Sequence, residues 1–255
     1  MNWFKKRKKQ THEIKPFPPI GALMVSKKVT EERLPVLFMY REKPSRREDS
    51  GWRLFSGFES DDFLANPANT GIYDPMTLIE MDQTLRQLLL REIGIVFERK
   101  DSKSDWYEVN DYPLDDDYII TVKLTEQWSF EINNLFQRIT ETNGDLLFTT
   151  GNKSVRIAIW NQNGQNAATI YDEHLEIIES RDQTLTPTIH KYDRSTTHVK
   201  KPGYEIIESD ESKSYHVIYA FNIIDEQLVQ VALYFNQEKD REWALKTWDS
   251  FSSDQ

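Results

Sequence analysis

The chain has 255 residues, a formal net charge of −10 and no cysteine, with hydrophobic residues at 38% and aromatics at 12%. This composition excludes global disorder, disulfide staples, thiolate metal sites and a cysteine nucleophile, and the length suits two domains better than one. Residues 1–15 hold six Lys or Arg against one Glu, which leaves −15 on residues 16–255; that balance disfavours nucleic acid and suits a basic protein partner or plain solubility.

The basic run from Lys5 to Lys9 has no apolar core behind it, so it is not a secretory signal, and residues 1–15 read as a solvated basic tail. Apolar runs such as Val217-Ile218-Tyr219-Ala220-Phe221 fall far short of the roughly 18–20 residues that cross a bilayer. A cytoplasmic chain with no stable membrane insertion is the expectation. Short apolar runs at 21–26 and 36–41 predict paired buried strands, and 52–55 a third. No period persists from Phe58 to Tyr73, and Asn66-Pro67, Asn69 and Gly71 are turn residues, so a long ordered loop is expected there. Asp74 is placed to cap a helix that begins at Pro75 and runs to about Met81. Asp82 can cap a second helix, with Leu85, Leu88 and Leu89 as its core stripe.

Strands are expected at 95–98, 106–109 and 118–124, followed by a domain boundary near residue 126 between units 16–126 and 127–255. In the second unit 129–140 fits either strand or helix, while 146–149 and 155–160 read as strands and 167–179 as a helix. Runs at 188–193, 198–201, 204–208, 215–224 and 228–235 predict an antiparallel meander whose last hairpin turns at Asp225-Glu226. A closing helix over 239–251 puts Ala244, Trp248 and Phe251 on one face and Trp243 at its margin. The fold class is α+β in two domains, each an antiparallel sheet covered by helices.

His190, His198 and His216 fall on neighbouring predicted strands but lack the H-x-H or H-E-x-x-H spacing of a metal site. Asp61-Asp62 and Asp115-Asp116-Asp117 lack the alternating acids of a calcium loop and read as solvated turns. Gly51, Gly57 and Gly71 match no phosphate-binding loop, and Ser50, Ser56 and Ser60 lie in no G-x-S-x-G elbow. No metal, cofactor or catalytic residue is expected. Trp52, Phe55, Phe58, Phe63 and Tyr73 are aromatics of the kind that usually fill cores, yet their clustering beside acids also makes an anchor patch with an acidic rim. On that second reading the partner-binding residues are Trp52, Arg53, Asp61, Asp62, Tyr73 and Asp74. On the first, Trp52 is core and Arg53 pairs with one of the two acids at 61 and 62.

Val25-Ser26-Lys27-Lys28-Val29, Met39-Tyr40-Arg41-Glu42, the run from Asp49 to Gly57 with Glu59, Asp61 and Asp62, and Asn69-Thr70-Gly71-Ile72-Tyr73-Asp74 together carry a resemblance. With them residues 21–99 resemble the immunity protein 33 family of polymorphic toxin systems, also described as domain of unknown function 2185. The resemblance implies a non-enzymatic protein that binds and neutralises a toxin in the producing cell. A non-toxin adaptor using the second domain is the competing reading, and an uncharacterised hydrolase a third. The element order of the second half resembles the Mog1 and PsbP-like sandwich by architecture alone.

Overall fold

The computed structural model describes residues 16–210 and 213–253; the basic segment 1–15 lies outside the described residues. The fold is α+β. Its first half contains β1 (Ala22–Ser26), α1 (Lys27–Thr30), β2 (Phe38–Arg41), β3 (Asp49–Phe55), α2 (Asp61–Leu64) and β4 (Thr70–Tyr73). There follow α3 (Pro75–Met81), α4 (Leu85–Leu88), β5 (Val96–Glu98) and β6 (Tyr107–Glu108). The strands form one sheet in the order β4-β1-β3-β2-β5-β6. Its pairs are antiparallel except β1 with β3, which run parallel, a departure from the purely antiparallel sheet expected from sequence. Alternation places Leu23, Val25, Met39, Trp52, Leu54 and Phe97 on one face, where Leu78 and Ile79 of α3 and Leu85 and Leu89 beside α4 close the core.

The second half contains β7 (Ile119–Lys123), β8 (Trp128–Asn133), β9 (Gln137–Thr140), β10 (Leu146–Thr149), β11 (Lys153–Asn161) and α5 (Ala167–Glu179). It continues with β12 (Thr188–Asp193), β13 (Pro202–Ser209), β14 (Ser214–Ile224), β15 (Gln227–Phe235), α6 (Arg241–Asp249) and β16 (Ser252–Ser253). Seven strands form an antiparallel sheet in the order β12-β13-β14-β15-β11-β10-β9, and β16-β8-β7 form a small second sheet. Trp128, Phe130, Trp248 and Phe251 join the small sheet and α6 to one face of the large one. Ile170 and Ile178 of α5 cover Tyr204, Ile206, Val217 and Phe221 on the other.

Two buried charges are fully engaged there. Glu205 on β13 accepts hydrogen bonds from Tyr192, His216 and Arg241, so a carboxylate with no exposed surface keeps its charge compensated. Lys201 donates to the carbonyls of Trp248, Asp249 and Phe251 at 3.3, 3.0 and 2.8 Å and so closes the C-terminus of α6. Burial pushes its ammonium down to about 8.

The region 129–140, open between strand and helix in the sequence, is two strands because Trp128, Phe130 and Ile132 alternate inward. The segment expected as a strand over 198–201 makes only a single bridge, Lys200 with Ile223. Strand β7, read from sequence as the end of the first unit, pairs along its length with β8, so this hairpin spans position 126. The two halves meet at a small apolar cluster of Ile93, Val96, Leu114 and Leu135, and the Ile93 amide donates to the Thr150 carbonyl at 2.9 Å.

Candidate functional site

Strand β3 is the foundation of the loop system that follows it. Gly51 sits at φ +81, and a Cβ there would lie 2.2 Å from the Glu42 carbonyl oxygen, so only glycine allows the neighbouring strands their approach. Trp52 has 0% exposure; its indole donates to the Leu89 carbonyl at 3.0 Å and stacks near Phe97. Ser50 donates to the Ala22 carbonyl at 2.6 Å and accepts from the Trp52 amide at 3.1 Å. On the opposite face Arg53 grips Asp49 with both terminal nitrogens at 2.9 Å and reaches Glu42 through Nε at 2.6 Å. Burial alone would raise the Asp49 carboxyl, but hydrogen bonds from Arg53 and from the Gly51 and Ser45 amides, with the guanidinium charge, hold it well below the usual carboxylate range.

Beyond β3 the chain is shaped by short polar caps. Glu59 accepts from the Ser56 amide at 2.9 Å, the Ser56 hydroxyl at 2.8 Å and the Gly57 amide at 2.9 Å, fixing the turn at Gly57. Ser60 caps α2 through the Phe63 amide, and Asn69 ties α2 to the start of β4 by donating to the Phe63 carbonyl at 2.9 Å. The Tyr73 ring lies over Gly71, where a Cβ would come within 2.6 Å of it, and its hydroxyl donates to Thr30 at 2.9 Å. Asp74 caps α3 by accepting from the Met76 amide at 2.8 Å, with Pro75 as the first helical residue.

The six residues expected from sequence to form one contact surface therefore separate. Trp52 is a core residue, which corrects its reading as an exposed anchor: it lies on the face of β3 that α3 and α4 cover. Arg53 is likewise buried, and its partners are Asp49 and Glu42 rather than Asp61 or Asp62. Tyr73 is half-buried, while Asp61, Asp62 and Asp74 are exposed on one continuous stretch of chain. Three large apolar side chains share that stretch with them: Phe58 at 61% exposure, Leu64 at 46% and Ile72 at 68%. The sequence reading placed Phe58 in the aromatic cluster that could form an anchor patch but did not single out Leu64 or Ile72; the available signal for them was their isolation among turn residues, away from any apolar period. Residues 54–85 carry six carboxylates and no Lys or Arg. The stretch offers apolar area and negative charge to a partner, held on backbone that its own caps keep in shape.

Residues 23–110 match the family model of the immunity protein Imm33 domain. The matched Imm33 segment contains all six strands of the first sheet save the first residue of β1, and the whole of the loop system. No curated protein matches the chain. Among solved structures, a crystal structure from Bacteroides thetaiotaomicron VPI-5482 is 9% identical with a TM-score of 0.40, covering 50% of this chain and 45% of that one. The present chain thus spans under half the length of that protein. The solution structure of PsbP (CyanoP) from Synechocystis sp. PCC 6803 is also 9% identical at a TM-score of 0.40, covering 57% of this chain and 97% of that one. Likeness at this level carries no argument about function. Among the described residues no helix is long and apolar enough to cross a membrane, and no group of three or more metal-ligating side chains converges.

Proposed function

We propose that this chain is a non-catalytic immunity protein that binds and neutralises a toxin, with residues 57–74 as its contact surface. The observation that carries the reading is the Imm33 match over 23–110, which encloses the exposed acidic and apolar stretch. Phe58 and Leu64 would supply the desolvated centre of the contact, and Asp61, Asp62 and Asp74 its charged rim toward a basic toxin surface. The test is to co-express the chain with the toxin domain encoded beside its gene and to measure cell survival and complex formation. Joint Asp61→Ala and Asp62→Ala substitution is expected to weaken the complex about tenfold at low salt, with less effect as salt rises, and to leave the melting temperature unchanged. No protection by the wild type would remove the immunity reading, while a double variant that binds normally but melts early would return these acids to structure.

We also propose that the chain divides into two folding units, with the link between Val109 and Tyr118. The support is that the first sheet closes at β6, while β7 is committed to β8. Limited proteolysis is expected to give protected fragments ending between 109 and 118. Fragments ending inside β3 or β14 instead would refute the division.

A further inference from the structure

The sheets have six outer strands among the described residues: β4 and β6, β12 and β9, β7 and β16. Unpaired strand edges invite another chain, and proteins blunt them with charge, bulges or brevity. Five of these six are blunted. β6 and β16 are two residues long, β9 carries Arg138, β7 ends in Lys123, and β12 carries Lys191 and a register shift next to Thr188. The sixth, β4, reads Thr70-Gly71-Ile72-Tyr73, with no charged residue and an exposed isoleucine.

Its surroundings are selective. Ile72 lies opposite Met24 of β1, and the two line a pocket of about 330 Å³ with Ala22, Leu23, Ser45 and Arg46 among its walls. Asp74 stands at one end of β4. At the other, the Asn69 bond to Phe63 brings α2, with Asp61 and Asp62 in its first turn and the Lys28 ammonium against its Phe63 ring. A strand laid along β4 would place alternate side chains on the face of this pocket and its two ends beside carboxylates.

We propose that β4 is a strand-addition site: it pairs with an extended segment of a partner protein that is basic at both ends and carries an apolar side chain for the Met24–Ile72 pocket. This takes its partner class from the immunity reading and specifies how the partner is held. Main-chain hydrogen bonds supply the grip, the pocket sets register, and the acids select a cationic segment.

The probe is a blocked heptapeptide with lysine at both ends and alternating valine and threonine between, titrated into the ¹⁵N-labelled full chain. Amide shifts are expected to concentrate at residues 70–74. The same peptide N-methylated at the amides that would face β4 is expected to bind about tenfold more weakly or worse, because it cannot pair. Ile72→Lys, at a side chain already in solvent, is expected to weaken binding of the unmodified peptide by at least about tenfold without lowering the melting temperature. Equal binding of the methylated peptide, or shifts centred on β7, β9 or β12, would overturn the proposal. In the survival assay, Ile72→Lys protecting and capturing toxin as well as wild type would sink strand addition while immunity stood. Peptide pairing at β4 in a chain that protects no cell would uphold the site and remove the immunity reading.

Discussion

Trp52→Ala is expected to lower the unfolding free energy by about 3–5 kcal/mol, the usual cost of truncating a large buried aromatic. The indole has 0% exposure and packs among Leu23, Met39, Leu54, Leu89 and Phe97, so its removal opens a cavity at the centre of the first core. It also strands the Leu89 carbonyl that the indole N–H satisfies at 3.0 Å. Trp52→Phe keeps most of the apolar volume and loses only the hydrogen bond and part of the ring, so a markedly smaller loss is expected. Urea unfolding followed by fluorescence and circular dichroism would measure both variants. A loss under about 1 kcal/mol for the alanine variant, with partner affinity falling instead, would restore Trp52 to the contact surface and contradict the burial argument.

How far the sequence disclosed this arrangement depends on the kind of signal each element carries. Asp74-Pro75 predicted its helix start because capping chemistry is local: one carboxylate, one orphan amide and a proline that lacks the unneeded N–H. The helix Ala167–Glu179 and the hairpin turning at Asp225, which adopts φ 49, were legible for the same reason, a clear period and a clear breaker. The interval 58–73 was not. It holds α2, a single 3-10 turn at Pro67–Asn69 and β4, elements of three or four residues, too short for any period to show. Phe58, Leu64 and Ile72 are exposed while Tyr73 packs on the first core and Phe63 is half-buried, so the hydrophobic pattern that marks other strands is broken here.

Arg53 shows a second limit: its charge suggested surface, and its partners lie four residues back at Asp49 and just past the end of the adjacent strand β2 at Glu42, a pairing set by strand register. Trp52 and Arg53 stand side by side in sequence, and the strand period sends one into the core and the other to the opposite face. Aromatic clustering near acids could not distinguish those fates without the sheet.

Arg53→Met should reduce stability by about 3–5 kcal/mol at neutral pH, since it removes the cation that grips Asp49 bidentately and leaves a poorly solvated carboxylate behind. Glu42 is about one-third exposed at its side chain and can be rescued by water; Asp49, at 12%, cannot. The pH dependence follows from the direction of the Asp49 shift. In the wild type its folded carboxyl lies below the unfolded value of about 3.9, so the stability it contributes is present above that value and is lost as pH falls through the folded one. In the variant burial is opposed by the Gly51 and Ser45 amides but no longer by the guanidinium, so the carboxyl lies higher than in the wild type and protonation on acidification relieves the stranded charge. The wild type therefore weakens with acid while the variant recovers relative to it, and the gap between them should narrow from pH 7 to about pH 3.5. Urea midpoints for the two proteins across that range give the answer. A gap that stays constant with pH would mean that Arg53 stabilises β3 through the packing of its aliphatic stem, and the Asp49–Arg53 pair would lose its electrostatic account.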